Sequence, residues 1–250
     1  MSSDDSTAAG VSSREPISLE RAVHSTDAEV LKAAVLDPAL TEDLALVLVK
    51  RADLPPELLE QLSKKSMIKG RKVKLALVSH PRTPRHVSVG LVRQMFTFDL
   101  MQVALTPAVP PDVKKAAEGA LLNRLETLTT GERISLARRA SGRVAAALLL
   151  DPEVRICHAA LDNSRLTEGH IIKALTAAKA RAGFVQAVCG HPKWSLRREI
   201  RMALLRNEKL PLSYALEYAR GIPATVVREI LRSSSLPARI KQRVLKAIDD

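Results

Sequence analysis

The strongest constraint in this sequence is a phrase that recurs. Ala-Leu-Asp-Asn (160–163) is followed by two residues, then by Leu166-Thr167 and a helix-like run. Leu-Leu-Arg-Asn (204–207) is followed by two residues, then by Leu210-Pro211 and another such run. Leu166 and Leu210 stand 44 residues apart. The mark occurs elsewhere too: Leu40, Thr83, Leu166 and Leu210 each precede a Thr or Pro, in steps of 43, 83 and 44. A second series, Val109, Val154, Trp194 and Leu236, steps by 45, 40 and 42. Two interleaved series at one period of ~42 residues predict a stacked array with two helices per unit. The missing member of the first series falls near Leu125, where LETLTTGE blurs the pattern.

Local chemistry agrees with helices. Ser25-Thr26-Asp27, Thr41, Pro55-Pro56, Pro84, Pro110-Pro111, Thr167, Ser195, Pro211, Pro223 and Pro237 each stand before an apolar-periodic run. Ser, Thr and Asp cap free amides at a helix start, and Pro is tolerated in the first turn. The intervening runs predict helices of about 10–14 residues. Hydrophobic residues make up 46% of the chain and aromatics 2%, so the core must be aliphatic. Such a core suits close-packed helices better than strands, and no segment alternates as a strand would. In 195–206, Leu196, Ile200, Ala203 and Leu204 form one apolar stripe; in 153–161, Val154, Cys157 and Leu161 form another. Residues 1–16 have almost nothing to bury and read as a disordered tail.

The text of the units resembles known repeats. Asp151-Pro152-Glu153-Val154-Arg155, followed by Ala159-Ala160-Leu161-Asp162, resembles the body of a HEAT repeat. The junctions HPRTP (80–84), DNSRLT (162–167), HPKWS (191–195) and NEKLP (207–211) resemble the leucine-rich-repeat variant and related bacterial HEAT-like proteins. The resemblance covers roughly residues 25–249. It implies an all-α fold, a right-handed α-solenoid of HEAT/armadillo-like units over residues 17–250, and says nothing of activity.

Charge divides the chain. The first 60 residues hold 5 Lys/Arg and 12 Asp/Glu; residues 61–250 hold 34 and 15. An acidic cap (17–60) therefore precedes a basic body (61–250), which predicts a polyanionic or acidic partner. Three clusters stand out. Residues 64–74 contain Lys64, Lys65, Lys69, Arg71, Lys72 and Lys74; residues 133–143 contain Arg133, Arg138, Arg139 and Arg143; residues 193–201 contain Lys193, Arg197, Arg198 and Arg201. Arg197 and Arg198 lie in a first helical turn, where the helix dipole favours acids. The crowding calls either for partners in the fold, such as Glu199, Glu217 or Asp162, or for an external anion. Trp194 is either a plug between units or a stacking platform.

Catalytic signatures are missing from the text. The ten glycines form no GxGxxG, phosphate loop or GxSxG, and no HExxH occurs. No metal or cofactor is expected. Cys157 and Cys189 read as reduced core thiols of a cytoplasmic protein. His80 and His191 read as turn-formers, because their pre-proline slot recurs as Asp37 and Asp151. The longest apolar run, Val144–Leu150, is seven residues, far short of a membrane span.

The leading expectation is a non-catalytic scaffold whose basic surface holds an acidic protein segment or a nucleic-acid backbone. Its expected contacts are Lys193, Trp194, Arg197, Arg198, Arg201, Arg138, Arg139, Arg143, Lys69, Arg71 and Lys72. The alternative rests on resemblance in fold alone: HEAT-like DNA glycosylases acting on alkylated bases also use a basic groove. That chemistry needs aromatics around the base and a stabilising carboxylate. The whole aromatic set is Trp194, Tyr214, Tyr218, Phe96, Phe98 and Phe184.

Overall fold

In the computed structural model, residues 18–65 and 70–249 are described; the tail 1–16 and Lys69 lie outside the described residues. Seventeen α-helices and one short 3-10 turn account for the described elements, with no strand among the described residues. The chain forms two compact units, Met1–Leu91 and Val92–Asp250.

The first unit holds α1 (Leu19–Ala22), α2 (Ala28–Leu36), α3 (Glu42–Val49), α4 (Pro56–Lys64) and α5 (Arg71–Ser79), and α6 (Arg85–Val92) closes it. Asp27 accepts from the Glu29 amide at 2.9 Å, and Thr41 from the Leu44 amide at 3.4 Å, so each supplies the cap its position predicts. Leu48, Leu54, Leu59, Leu62 and Val73 are fully buried in one aliphatic core.

The second unit runs α7 (Thr97–Leu105), α8 (Pro111–Arg124), α9 (Thr130–Arg139), α10 (Gly142–Leu148), α11 (Val154–Leu161), α12 (Glu168–Leu175), α13 (Ala182–Gly190), α14 (Arg198–Leu204), α15 (Leu212–Arg220), α16 (Ala224–Ser233) and α17 (Ala238–Asp249). The blurred stretch LETLTTGE is where α8 ends in the 3-10 turn and α9 begins. There Thr129 and Glu132 form a capping box.

Most of these helices span only 7–10 residues, shorter than the spacing of the marks suggests. The reason is density of punctuation: a new helix starts about every 14 residues (28, 42, 56, 71 and 85; later 154, 168 and 182). An interval of 42 residues therefore spans three helices rather than two. The two sequence series sample every third member of one finer series. Val154 and Trp194 mark the starts of α11 and α14 from other positions; the slot that many starts share is the residue just before the N-cap. Leu40, Leu54, Val109, Leu166, Ala180, Leu210, Ile222 and Leu236 all occupy it and all are buried. Each wedges the chain's entry into its helix against the core, as a hydrophobic staple does.

Packing runs between next-but-one helices. In the first unit α2 meets α4 and α3 meets α5. In the second, α8, α10, α12 and α14 form one row, and α9, α11 and α13 form the other. A two-helix step is thus about 28 residues, and hydrogen bonds repeat at that separation. Arg51 donates to the Val23 carbonyl (2.9 Å), Lys65 to Asp37 (2.6 Å), Asn207 to Leu175 (2.7 Å) and Trp194 Nε1 to Leu161 (2.8 Å). Asn163, almost wholly buried, donates to both Ala137 (2.8 Å) and Ala140 (3.1 Å). Helix C-termini leave carbonyls without partners, and here the turn two helices later supplies the donor.

The pre-proline slot does the same work. Asp37, His80, Asp151 and His191 each accept from the amide two residues on, at 2.7, 3.1, 2.9 and 3.2 Å. Nδ1 of each histidine is the acceptor, which leaves the proton on Nε2. His80 then donates to the Arg51 carbonyl at 3.0 Å, and His191 to Asp162 Oδ1 at 3.3 Å. Both histidines are turn-formers, as the slot predicts.

Two stripe positions are corrected. Ile200, Ala203 and Leu204 are buried, but Leu196 is 70% exposed, because α14 begins at Arg198 rather than near Ser195. The Ser195 amide bonds to the His191 carbonyl, so residues 192–196 form turns. Cys157 and Leu161 are buried while Val154 is 45% exposed, at the first position of α11.

Candidate functional site

The structure sorts the predicted cations into those consumed by the fold and those presented to solvent. Arg201 is consumed. Its Nε donates to the Ser195 carbonyl at 2.6 Å and its guanidinium stacks 5.1 Å from the Tyr218 ring centre. The carboxylates Glu199 and Glu217 are not what neutralises it; a carbonyl and an aromatic face take that place. Trp194 is 2% exposed, with its ring N–H spent on Leu161, so it is a plug and offers no face to a base. Lys193 lies over that ring, 4.0 Å from its centre. Arg197 meets Glu168 at 3.5 Å, and Arg198 is exposed beside it. The helix start expected near Ser195 lies instead at Arg198, and α14 has seven residues and no side-chain cap.

The second cluster divides in the same way. Arg133 is bound to Asp151 (2.6 Å) and Glu153 (3.1 Å) and is structural. The Thr130 hydroxyl, with Arg155 and Arg133 adding to it, holds the Glu153 carboxyl below its usual range. Arg138 and Arg139 are exposed in the last turn of α9, where cations suit the helix dipole. Arg143 is exposed on α10, 3.5 Å from Glu118.

In the first unit, Lys64 pairs with Glu60 at 2.8 Å and, with His86 contributing less, keeps that carboxyl below its usual range. Lys65 is spent on Asp37, as described above. Arg71 and Lys72 are exposed in the first turn of α5, which carries no acid.

The arrangement brings Arg143 together with two residues the sequence reading missed. Between α10 and α12 runs a groove of ≈650 Å³ whose cations are Arg143 and Lys173, with His170 beside them. Its floor is small and apolar: Ala146, Ala147, Leu150, Ala174 and Ala177. The helices approach closely because α10 opens on Gly142. A Cβ there would run into the Arg165 carbonyl and the His170 ring. His170 is fixed in turn by a capping box, its Nδ1 3.0 Å from the Thr167 hydroxyl. Arg165 crosses to the Arg139 carbonyl at 3.3 Å, tying the loop before α12 to the end of α9. The signal for this groove was present in HIIKALTAAK (170–179), where a lysine sits among alanines at helical spacing.

Arg143 on α10, Lys173 on α12 and Arg197-Arg198 at α14 thus lie on successive helices of one row. Elsewhere the chemistry is quiet. Cys157 and Cys189 are both free and buried, and burial pushes each thiol up to about 11, so neither is a thiolate near neutral pH. Among the described residues no group of three or more His, Cys, Asp or Glu is placed to hold a metal ion. Phe184 and Tyr218 are buried, so with Trp194 they supply no exposed ring to the groove. Comparison with known protein families, curated proteins and solved structures finds no match for this chain.

Proposed function

We propose that this chain is a non-catalytic binding scaffold, a HEAT-like α-solenoid whose second unit holds an acidic protein segment. The observation that carries the reading is the placement of cations along one helix row. Arg143 (exposed although 3.5 Å from Glu118), Lys173 and Arg198 are exposed on successive helices α10, α12 and α14, with Arg138 and Arg139 at the end of α9. The unit as a whole has 26 Lys/Arg against 15 Asp/Glu, so an acidic ligand is drawn to it. An acidic polypeptide is favoured over a nucleic-acid backbone because the cations border alanines rather than aromatic rings on which bases could stack.

The test is fluorescence anisotropy with a labelled polyglutamate peptide, competed by unlabelled single-stranded and duplex oligonucleotides. Peptide binding should weaken steeply with added salt. Reversing Arg138, Arg139 and Arg198 to Glu should lower affinity at least tenfold. Displacement of the peptide by oligonucleotide at equal phosphate and carboxylate concentration would replace this reading with a nucleic-acid one.

A further inference from the structure

We infer that the α10–α12 groove is a docking site for an acidic amphipathic helix with bulky apolar anchors. The inference rests on the scaffold reading and adds the shape and pattern of the partner.

The floor decides the shape. Ala146 and Ala147 on α10, Ala174 on α12 and Ala177 just past its end are the smallest side chains that still present an apolar surface. Two helices lined by alanine leave room for a third to settle between their ridges. The space left, ≈650 Å³, is then filled by the partner's larger side chains rather than by the protein's own. A partner helix offering Leu, Met or Phe at i, i+3, i+4 and i+7 matches that demand. A flat polyanion does not, because it would leave the floor wet.

The rim decides the charge. Arg143 stands at one side of the trough and Lys173 at the other, with His170 between α10 and the start of α12. Acidic residues flanking the apolar anchors would meet these cations at the edge, where they stay partly hydrated and set orientation and salt dependence. Glu118, 3.5 Å from Arg143, keeps that guanidinium loosely tethered until a carboxylate replaces it.

The pattern continues on the next helix of the row. Leu196 fills the slot just before the N-cap of α14, which is buried at most helix starts but open at Thr26 before α2 and Pro152 before α11, and there it is a large apolar side chain 70% exposed. It is flanked by Arg197 and Arg198, so α14 repeats the pairing of apolar contact with cations found in the groove. A ligand long enough to use both is a polypeptide helix and not a small molecule.

The probe is a labelled peptide with Leu at i, i+3, i+4 and i+7 and Glu elsewhere on its exposed face. A second peptide has the same composition in scrambled order. Both are titrated against the full chain by fluorescence anisotropy at low and moderate salt. The amphipathic peptide should bind at least tenfold tighter than the scrambled one and gain helical circular dichroism on binding. Filling the groove with Ala146→Leu and Ala147→Leu should abolish that preference without altering net charge. If the filled variant loses helix content, Arg143→Ala with Lys173→Ala, both on the rim, serves as the second test and should weaken the amphipathic peptide alone. Equal binding of both peptides, unaffected by these variants, would overturn the groove while leaving the acidic-segment scaffold standing. Binding of neither peptide at low salt would overturn both.

Discussion

At the scale of single residues, what matters is which side of a turn a side chain falls on. Leu196 and Leu204 belong to the same helix region, and period counting makes them equals. The structure separates them: Leu204 is fully buried and Leu196 is 70% exposed. Truncating a buried leucine removes transfer free energy and leaves a cavity, so Leu204→Ala should cost roughly 2–5 kcal/mol in urea unfolding. Leu196→Ala should change stability by less than about 0.5 kcal/mol, as exposed substitutions do. Similar losses at both positions would contradict the start of α14 at Arg198. The sequence could not separate them, because the five-residue turn after His191 is itself held by backbone bonds and by His191 Nδ1. By contrast, the turn roles of His80 and His191 were legible, since Asp37 and Asp151 in the same slot show the residue types the geometry accepts. The arginines were only partly legible. Crowding identified Lys193, Arg197, Arg198 and Arg201 as a cluster. Which of them are consumed depends on a carbonyl and a ring, Ser195 and Tyr218, that no spacing rule connects to Arg201.

At the scale of elements, short helices survive because their ends are satisfied from outside. A helix of seven or eight residues is unstable alone. At α3, α10 and α12 the entry is wedged by a buried residue before the cap, and exit carbonyls such as those of Ala137, Leu161 and Leu175 receive donors from a later turn. Helix starts were therefore the most legible feature: nine of the ten marked positions open a helix within a residue or two, and Ser195 is the exception. Starts with neither a side-chain cap nor a proline, such as α5 after Gly70 and α13 after Arg181, left no mark to read. The α10–α12 contact gives the prediction at this scale. Gly142→Ala removes backbone freedom from the unfolded chain, worth about 0.4–1 kcal/mol in favour of folding. Against this, the new methyl meets the Arg165 carbonyl, and overpacking against fixed backbone costs about 1–3 kcal/mol. The second effect should win, lowering the urea midpoint. Gly183→Ala, whose Cβ would meet only the Val154 side chain at 2.9 Å, should be nearly neutral, since that valine is exposed and can shift. A stabilised Gly142→Ala protein would mean that α10 and α12 do not approach as described.

At the scale of the molecule, the described residues contain no helix long and apolar enough to cross a membrane, and two compact units each carry their own packing. The ~42-residue steps read from the sequence span three helices each rather than two, because only the best-marked junctions stood out. The finer spacing has a consequence of parity. From α8 to α14 each helix packs against the one two places away, so its row there is set by whether its place in the chain is even or odd. Removing residues 154–167 takes out α11 alone and joins Glu153 to Glu168. Every later helix then changes parity and must face partners built for the other row. Removing residues 154–181 takes out α11 and α12 together and joins Glu153 to Ala182, so parity is kept. The longer deletion should retain a cooperative urea transition and the shorter one should lose it, although it discards half as much chain. Along α8–α14 the chain can lengthen or shorten only in helix pairs, as a dance line keeps its partners only when dancers join two at a time.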